Sequence, residues 1–193
     1  VWRQLTVDQA HPPCWLCHDQ GGATFLSCPV FAMTGLSLRA ETPADIPAIT
    51  ALINAAFANV THSDQREAQI VDLLRQEDAL VVSLVAVRDG DLLGHVAASP
   101  VTLSDGSRRW FGIGPVSVLP DCQGEGIGSA LMQAAIAALR EQGAAGCVLL
   151  GDPSWYLRFG FVATPLLRLP GVPAEYFQAL LLDGDWPDAR VHY

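Results

Sequence analysis

Val116-Ser117-Val118-Leu119-Pro120-Asp121-Cys122-Gln123-Gly124-Glu125-Gly126-Ile127-Gly128-Ser129 is the stretch on which the reading of this chain turns. A Val-rich run stops at Pro120, glycines alternate at 124, 126 and 128, and apolar residues recur at helical spacing as far as Gln142. The pattern predicts a strand, a tight turn and a helix over 126–142. Glycine lacks a Cβ, so successive backbone N–H groups can close on one anion, and the helix N-terminus adds positive partial charge. The loop has no lysine, so a phosphate bound there is held by main chain. That absence excludes a nucleotide loop of the Gly-Lys-Ser/Thr type. A dinucleotide fingerprint is the nearer rival, because Cys147–Gly151 reads as a second strand leading to the acid Asp152. Its third glycine would fall on Ser129, and its glycines do not follow the strand directly. The residues after Asp152 are also few for a doubly wound sheet.

Upstream, Leu36–Arg39 is expected as a short strand. Thr42-Pro43-Ala44-Asp45 opens a helix with a threonine N-cap, a proline in the first turn and an acid three residues after the cap. Ile46, Ile49, Leu52, Ile53, Ala56 and Phe57 then form one apolar face. A second helix, capped by Ser63, carries Ile70, Leu73 and Leu74. Leu80–Val87 and Leu92–Val101 read as strands joined at Asp89-Gly90-Asp91, and a turn at Ser104-Asp105-Gly106-Ser107 leads to a third, Arg109–Leu119. Downstream come the strand Cys147–Gly151, a helical piece over 154–159, a proline-bearing loop over 169–173 and a final strand Tyr176–Leu182.

Gln123-Gly124-Glu125-Gly126-Ile127-Gly128 fits the pattern Gln/Arg-x-x-Gly-x-Gly. Between that strand and that helix it resembles the acyl-CoA pyrophosphate loop of the GNAT N-acetyltransferase superfamily. Similarity is most specific in three places: Gly94-His95-Val96 with Ser99-Pro100-Val101, the stretch Gly114–Met132, and Leu150-Gly151-Asp152-Pro153 through Trp155-Tyr156-Leu157-Arg158-Phe159-Gly160-Phe161. The resemblance runs from Leu36 to Asp183 and points to the bacterial branch of small-substrate N-acetyltransferases. It implies an α/β domain over 33–193 whose mixed, mostly antiparallel central sheet is flanked by helices. It further implies acetyl-CoA as cosubstrate and a small amine as acceptor, and it is compatible with a homodimer.

By the same resemblance, the backbone of Val116, Ser117 and Val118 faces the thioester and pantetheine, and Gly114-Pro115 suits a break in that strand because proline cannot donate to a ladder. Gln123, Gly124, Glu125, Gly126, Ile127, Gly128 and Ser129 surround the pyrophosphate, with the Glu125 side chain expected in solvent. Tyr156 matches the tyrosine of the family's Tyr-x-x-x-Gly-Phe segment, where it is placed to protonate the departing thiolate. A phenol with a pKa near 10 suits that task. By its residue type alone Tyr156 reads equally as a packing side chain. Some relatives carry a glutamate base at the position of Gly112, and no acid occurs from Phe111 to Leu119. His95 on the neighbouring strand is the candidate base, against a purely structural role. Proton removal through ordered water fits equally well. Asp152 either orients an amine or caps the following turn. Two further readings stay open: a CoA-binding regulatory protein without catalysis, and a dinucleotide-binding protein.

Composition narrows the classes. The 193 residues, half of them hydrophobic, suffice for one domain with a full core. A net charge of −9 and a pI near 4.8 argue against a nucleic-acid partner. No segment reads as a membrane span or a signal peptide, and Cys122 and Cys147 read as free thiols, so a cytoplasmic setting is expected. Residues 1–32 differ in character and are expected to form an extension ahead of Met33. Within them Cys14-Trp15-Leu16-Cys17-His18 matches a haem-attachment pattern, and Cys14, Cys17 and Cys28 with a histidine make a zinc alternative. A single Cys-x-x-Cys supports neither, and no metal is assigned.

Overall fold

The computed structural model describes residues 35–60 and 65–193. In chain order the elements are β1 (Ser37–Ala40), α1 (Ile46–Phe57), α2 (Glu67–Gln76), β2 (Val82–Arg88), β3 (Asp91–Pro100), β4 (Thr102–Leu103), β5 (Trp110–Val118), α3 (Ile127–Glu141), β6 (Gly146–Leu150), α4 (Pro153–Tyr156), β7 (Leu167–Arg168), β8 (Phe177–Leu181) and β9 (Ala189–His192). The central sheet runs β1-β2-β3-β5-β6-β8. Every neighbouring pair is antiparallel except β5 with β6. This is the mixed, mostly antiparallel sheet expected from the sequence.

Local chemistry accounts for the first half. The β2–β3 hairpin turns on Asp89 and Gly90, both at positive φ (53° and 92°), the geometry of a two-residue turn whose twist matches the strands. Before α1, a 3₁₀ turn over Pro43–Asp45 precedes the regular helix, and the Asp45 carboxylate accepts the Thr42 N–H at 2.7 Å. The Ser63 cap expected for α2 lies outside the described residues, as do the cysteines and histidines of the first 32 positions.

Helix α3 lies against β2, β3 and β5, and α1 packs on β3 and β5. A Cβ on Gly94 would sit 2.8 Å from Leu131 Cδ1, so the missing side chain is what lets α3 approach β3. Alternation along the strand then turns His95 to the opposite face. Ile53, Val85, Val96, Leu131, Met132 and Leu149 lie in the main core.

Three short strands were not anticipated from sequence. β4, β9 and β7 form a separate small sheet over a second core containing Trp110, Val148, Leu150, Leu167 and Val191. Two-residue strands carry no readable alternation, and their partners lie as far apart as Thr102 and His192. No helix among the described residues is long and apolar enough to cross a membrane.

Candidate active site

Strand β5 builds the site by parting from its neighbour. Its pairing with β6 covers only Trp110, Phe111 and Gly112, opposite Gly146, Cys147 and Val148. Beyond that point β5 stays paired with β3 alone, through Val116 opposite Val96, Ser117 opposite His95 and Val118 opposite Gly94. One extra residue on β5 bulges between Ile113 and Val116, at Gly114-Pro115. A bulge of this kind re-aims a strand and ends its pairing on one side. The main chain of Val116–Val118 therefore faces a cleft where β6 would otherwise continue.

The glycine loop closes the end of that cleft. Gly124 and Gly126 both adopt φ of 84°, where a Cβ is disfavoured, and α3 starts at Ile127 with Gly126 as its cap. The first helical hydrogen bond is Ala130 N–H to Gly126 O, so the amides of the preceding turn have no partner within the helix. The cleft is lined by Val116, Val118, Gln123, Gly124, Gly126, Ile127, Gly128 and Ser129, with Cys122 and Trp155 in addition. Such a row of main-chain donors at a helix N-terminus fits a pyrophosphate, with no cationic side chain in the loop.

Two residues assigned to the cofactor from sequence do not line it. The Glu125 carboxylate turns to Arg88 at the end of β2, at 2.8 Å, rather than standing free in solvent. This pairing offsets the Glu125 charge, which would otherwise oppose an anion bound at the glycines. Ser117 is buried on the far face of β5, and its Oγ has no hydrogen-bond partner among the described residues. Gln123 does line the cleft, but its side-chain amide donates to Val118 O at 3.2 Å and ties the loop to the strand. Cys122 and Trp155 were not named in advance. Their adjacency to Gln123 and Tyr156 was the signal available.

Tyr156 is fully buried in α4, in edge-to-face contact with Trp155 at 4.6 Å and near Phe161 at 6.0 Å. A Cβ on Gly151 would come within 2.1 Å of its ring, so the tyrosine is seated on the bare backbone at the end of β6. Its hydroxyl has no partner among the described residues. Burial, and secondarily the charge of Asp152, raise its pKa above the ordinary phenol value, so it stays protonated. Asp152 itself caps the turn, accepting from Ser154 N–H at 2.9 Å and Ser154 Oγ–H at 2.8 Å.

His95 is fully buried, and its Nε2 lies 2.8 Å from Ser83 Oγ. Burial lowers its pKa to about 4, against the pull of Glu41 and with a smaller push from Arg75. The ring is neutral at physiological pH. At Gly112, where some relatives place a glutamate, a Cβ would meet the Tyr193 ring at 2.4 Å. The volume a base would need there is taken.

Residues 46–161 match the model of the acetyltransferase (GNAT) family. An uncharacterised N-acetyltransferase of Escherichia coli K12, YhbS, is 38% identical over 125 residues, which are 64% of this chain and 72% of that protein. The crystal structure of the E. coli YhbS protein in complex with CoA superposes with a TM-score of 0.73 at 31% identity, covering 91% of this chain and 94% of that one. A GNAT family acetyltransferase from Brucella melitensis, solved in complex with acetyl-CoA, superposes with a TM-score of 0.74 at 47% identity, covering 82% of this chain and 95% of that one.

Proposed function

The chain belongs to the GNAT acetyltransferase family, and from that premise we propose that it transfers an acetyl group from acetyl-CoA to the primary amine of a small molecule. The observation that carries the reading is the parting of β5 from β6, ending in the main-chain cradle at Gly124–Ser129. The freed edge of Val116–Val118 suits pantetheine as an added strand, since an extended chain with amides pairs there as a peptide would. The cradle suits the pyrophosphate. Acetyl-CoA, when bound, supplies the activated thioester carbon.

The chain's own residues then orient and move protons. The backbone N–H of Val116 is the donor for the carbonyl oxygen, a fixed dipole on the freed edge of β5. Tyr156 holds its proton because burial disfavours phenolate, and it gives that proton to the departing sulfur. His95, neutral and on the adjacent strand, receives the proton shed by the amine. The free thiols Cys122 and Cys147 suit a reducing cytoplasm.

Calorimetric titration with acetyl-CoA, with NADH as control, tests the cofactor half. Thiol release in the presence of a panel of small primary amines tests the transfer half. Micromolar binding and acceptor-dependent thiol release are expected. Tyr156→Phe should bind acetyl-CoA as the parent does and turn over about 100-fold more slowly. Binding without any acceptor-dependent release would favour a regulatory CoA-binding role, and NADH binding alone would overturn the reading.

A further inference from the structure

Behind His95 runs a chain of hydrogen bonds with a defined polarity. Arg75, on α2, holds Glu41 through Nε to Oε1 at 2.7 Å and Nη2 to Oε2 at 2.9 Å, and reaches Asp72 at 2.6 Å. Burial alone would raise the Glu41 pKa, but the hydrogen bonds from Arg75 and Ser83 together hold it below the ordinary value. The carboxylate is thus ionised and can only accept. Ser83 Oγ donates to Glu41 Oε2. Its remaining lone pair faces His95 Nε2 at 2.8 Å and must accept from it. The proton of the neutral ring therefore sits on Nε2, and Nδ1 carries a bare lone pair.

That Nδ1 is buried and has no hydrogen-bond partner among the described residues. The register sets His95 directly opposite Ser117, so the two side chains share one face of the sheet. Ser117 Oγ is the other unpartnered buried atom there. Both lie on the sheet face opposite Gly94 and α3, along the stretch of β5 that has left β6. A ring held only for packing would not need a one-way chain of donors ending on a fixed carboxylate.

We propose that His95 Nδ1 is the proton acceptor of the reaction, and that Ser83 and Glu41 are positioning residues that set its tautomer and offset the charge it gains. The inference rests on the acetyl-transfer reading above. As the acceptor nitrogen bonds to carbon it becomes far more acidic than a free ammonium ion, so a weakly basic imidazole suffices. Nδ1 takes that proton and the ring becomes an imidazolium, whose charge the Glu41 carboxylate offsets through Ser83 Oγ. The Nδ1 proton leaves to water as the product departs, so one proton is taken and one released, and the ring returns to its Nε2–H tautomer. The charged groups bearing on the ring are Glu41, between β1 and α1, and Arg75, on α2 beside Asp72.

Ring-¹⁵N NMR of histidine-labelled protein reads the tautomer without any substrate. His95 should show a protonated Nε2 and a bare Nδ1, and Ser83→Ala should abolish that bias while the protein stays folded. Against the best amine of the panel, His95→Gln should lower kcat about 100-fold with acetyl-CoA affinity unchanged. Ser83→Ala should lower kcat roughly tenfold, the worth of one hydrogen bond to a group that becomes charged. An Nδ1–H tautomer in the parent protein, or a kcat within twofold of the parent in His95→Gln, overturns the proposal. Failure of the parent protein to bind acetyl-CoA would instead overturn the reading on which the proposal rests. If no amine of the panel is acetylated, the NMR result alone decides.

Discussion

His95 and Tyr156 are both fully buried, and burial acts oppositely on a cation and on an anion. It keeps the imidazole unprotonated and the phenol protonated at neutral pH, while making the one a weaker base and the other a weaker acid than in water. The histidine leaves a signature in stability. Its folded pKa, about 4, lies below the ordinary 6.5, so the unfolded chain binds a proton that the native chain refuses. Stability is therefore level above pH 6.5 and falls as the pH drops through the window toward 4, with Glu41 adding in the same direction below its own ordinary value of 4.5. Urea unfolding at pH 7 and pH 5 should differ by about 2 kcal/mol on account of His95, and His95→Gln should remove that difference. An unchanged slope in the variant would mean the ring is not held neutral. Both residues were named from sequence, Tyr156 by its segment and His95 by its strand. Their partners were not, because Glu41, Ser83 and His95 meet only through the pairing of β1, β2 and β3.

At the scale of elements, the site is a junction of one strand end and one helix start. Loop 119–126 is pinned from both sides: Leu119 N–H donates to Leu93 O, Gln123 donates to Val118 O, and Glu125 pairs with Arg88. The fixed frame lets the amides at the start of α3 point into the cleft without reorganising. Gly126 is its most sensitive position, because at a φ of 84° a β-branched residue is strained and its bulk would enter the cleft. Gly126→Val should weaken acetyl-CoA binding more than tenfold by calorimetry and lower the melting temperature by several degrees, the left-handed backbone costing about 1–2 kcal/mol. Retained affinity would take the loop out of the binding site. This element was legible beforehand, since a positive-φ requirement and a helical period are both local properties.

The whole molecule divides its sheet between two cores. α1, α2 and α3 cover the β1–β5 side, and the small sheet covers the β6–β8 side, with Trp110 at the root of β5 packed in the second core. Trp110 lies 6.3 Å from Trp186 and so close to Gly146 that a Cβ there would meet its ring at 2.4 Å. It packs over the first of the three rungs that β5 and β6 share before they part. Trp110→Ala should cost about 3–5 kcal/mol in urea unfolding, a large share of the 5–15 kcal/mol typical of a domain. A cost under about 1 kcal/mol would show that the second core is not needed to hold those rungs. What the sequence by itself determined was whatever each segment decides alone: the β2–β3 hairpin, the glycine turn, the apolar faces of α1 and α3, and the family to which they point. Backbone dihedral limits and side-chain period act over a few residues and leave their mark there. Only the tertiary structure decided where β5 leaves β6, that Tyr193 fills the space over Gly112, that Glu125 is neutralised by Arg88, and that a carboxylate stands behind His95. Those contacts join residues tens of positions apart, and their strength arises only once packing has brought them together and excluded water.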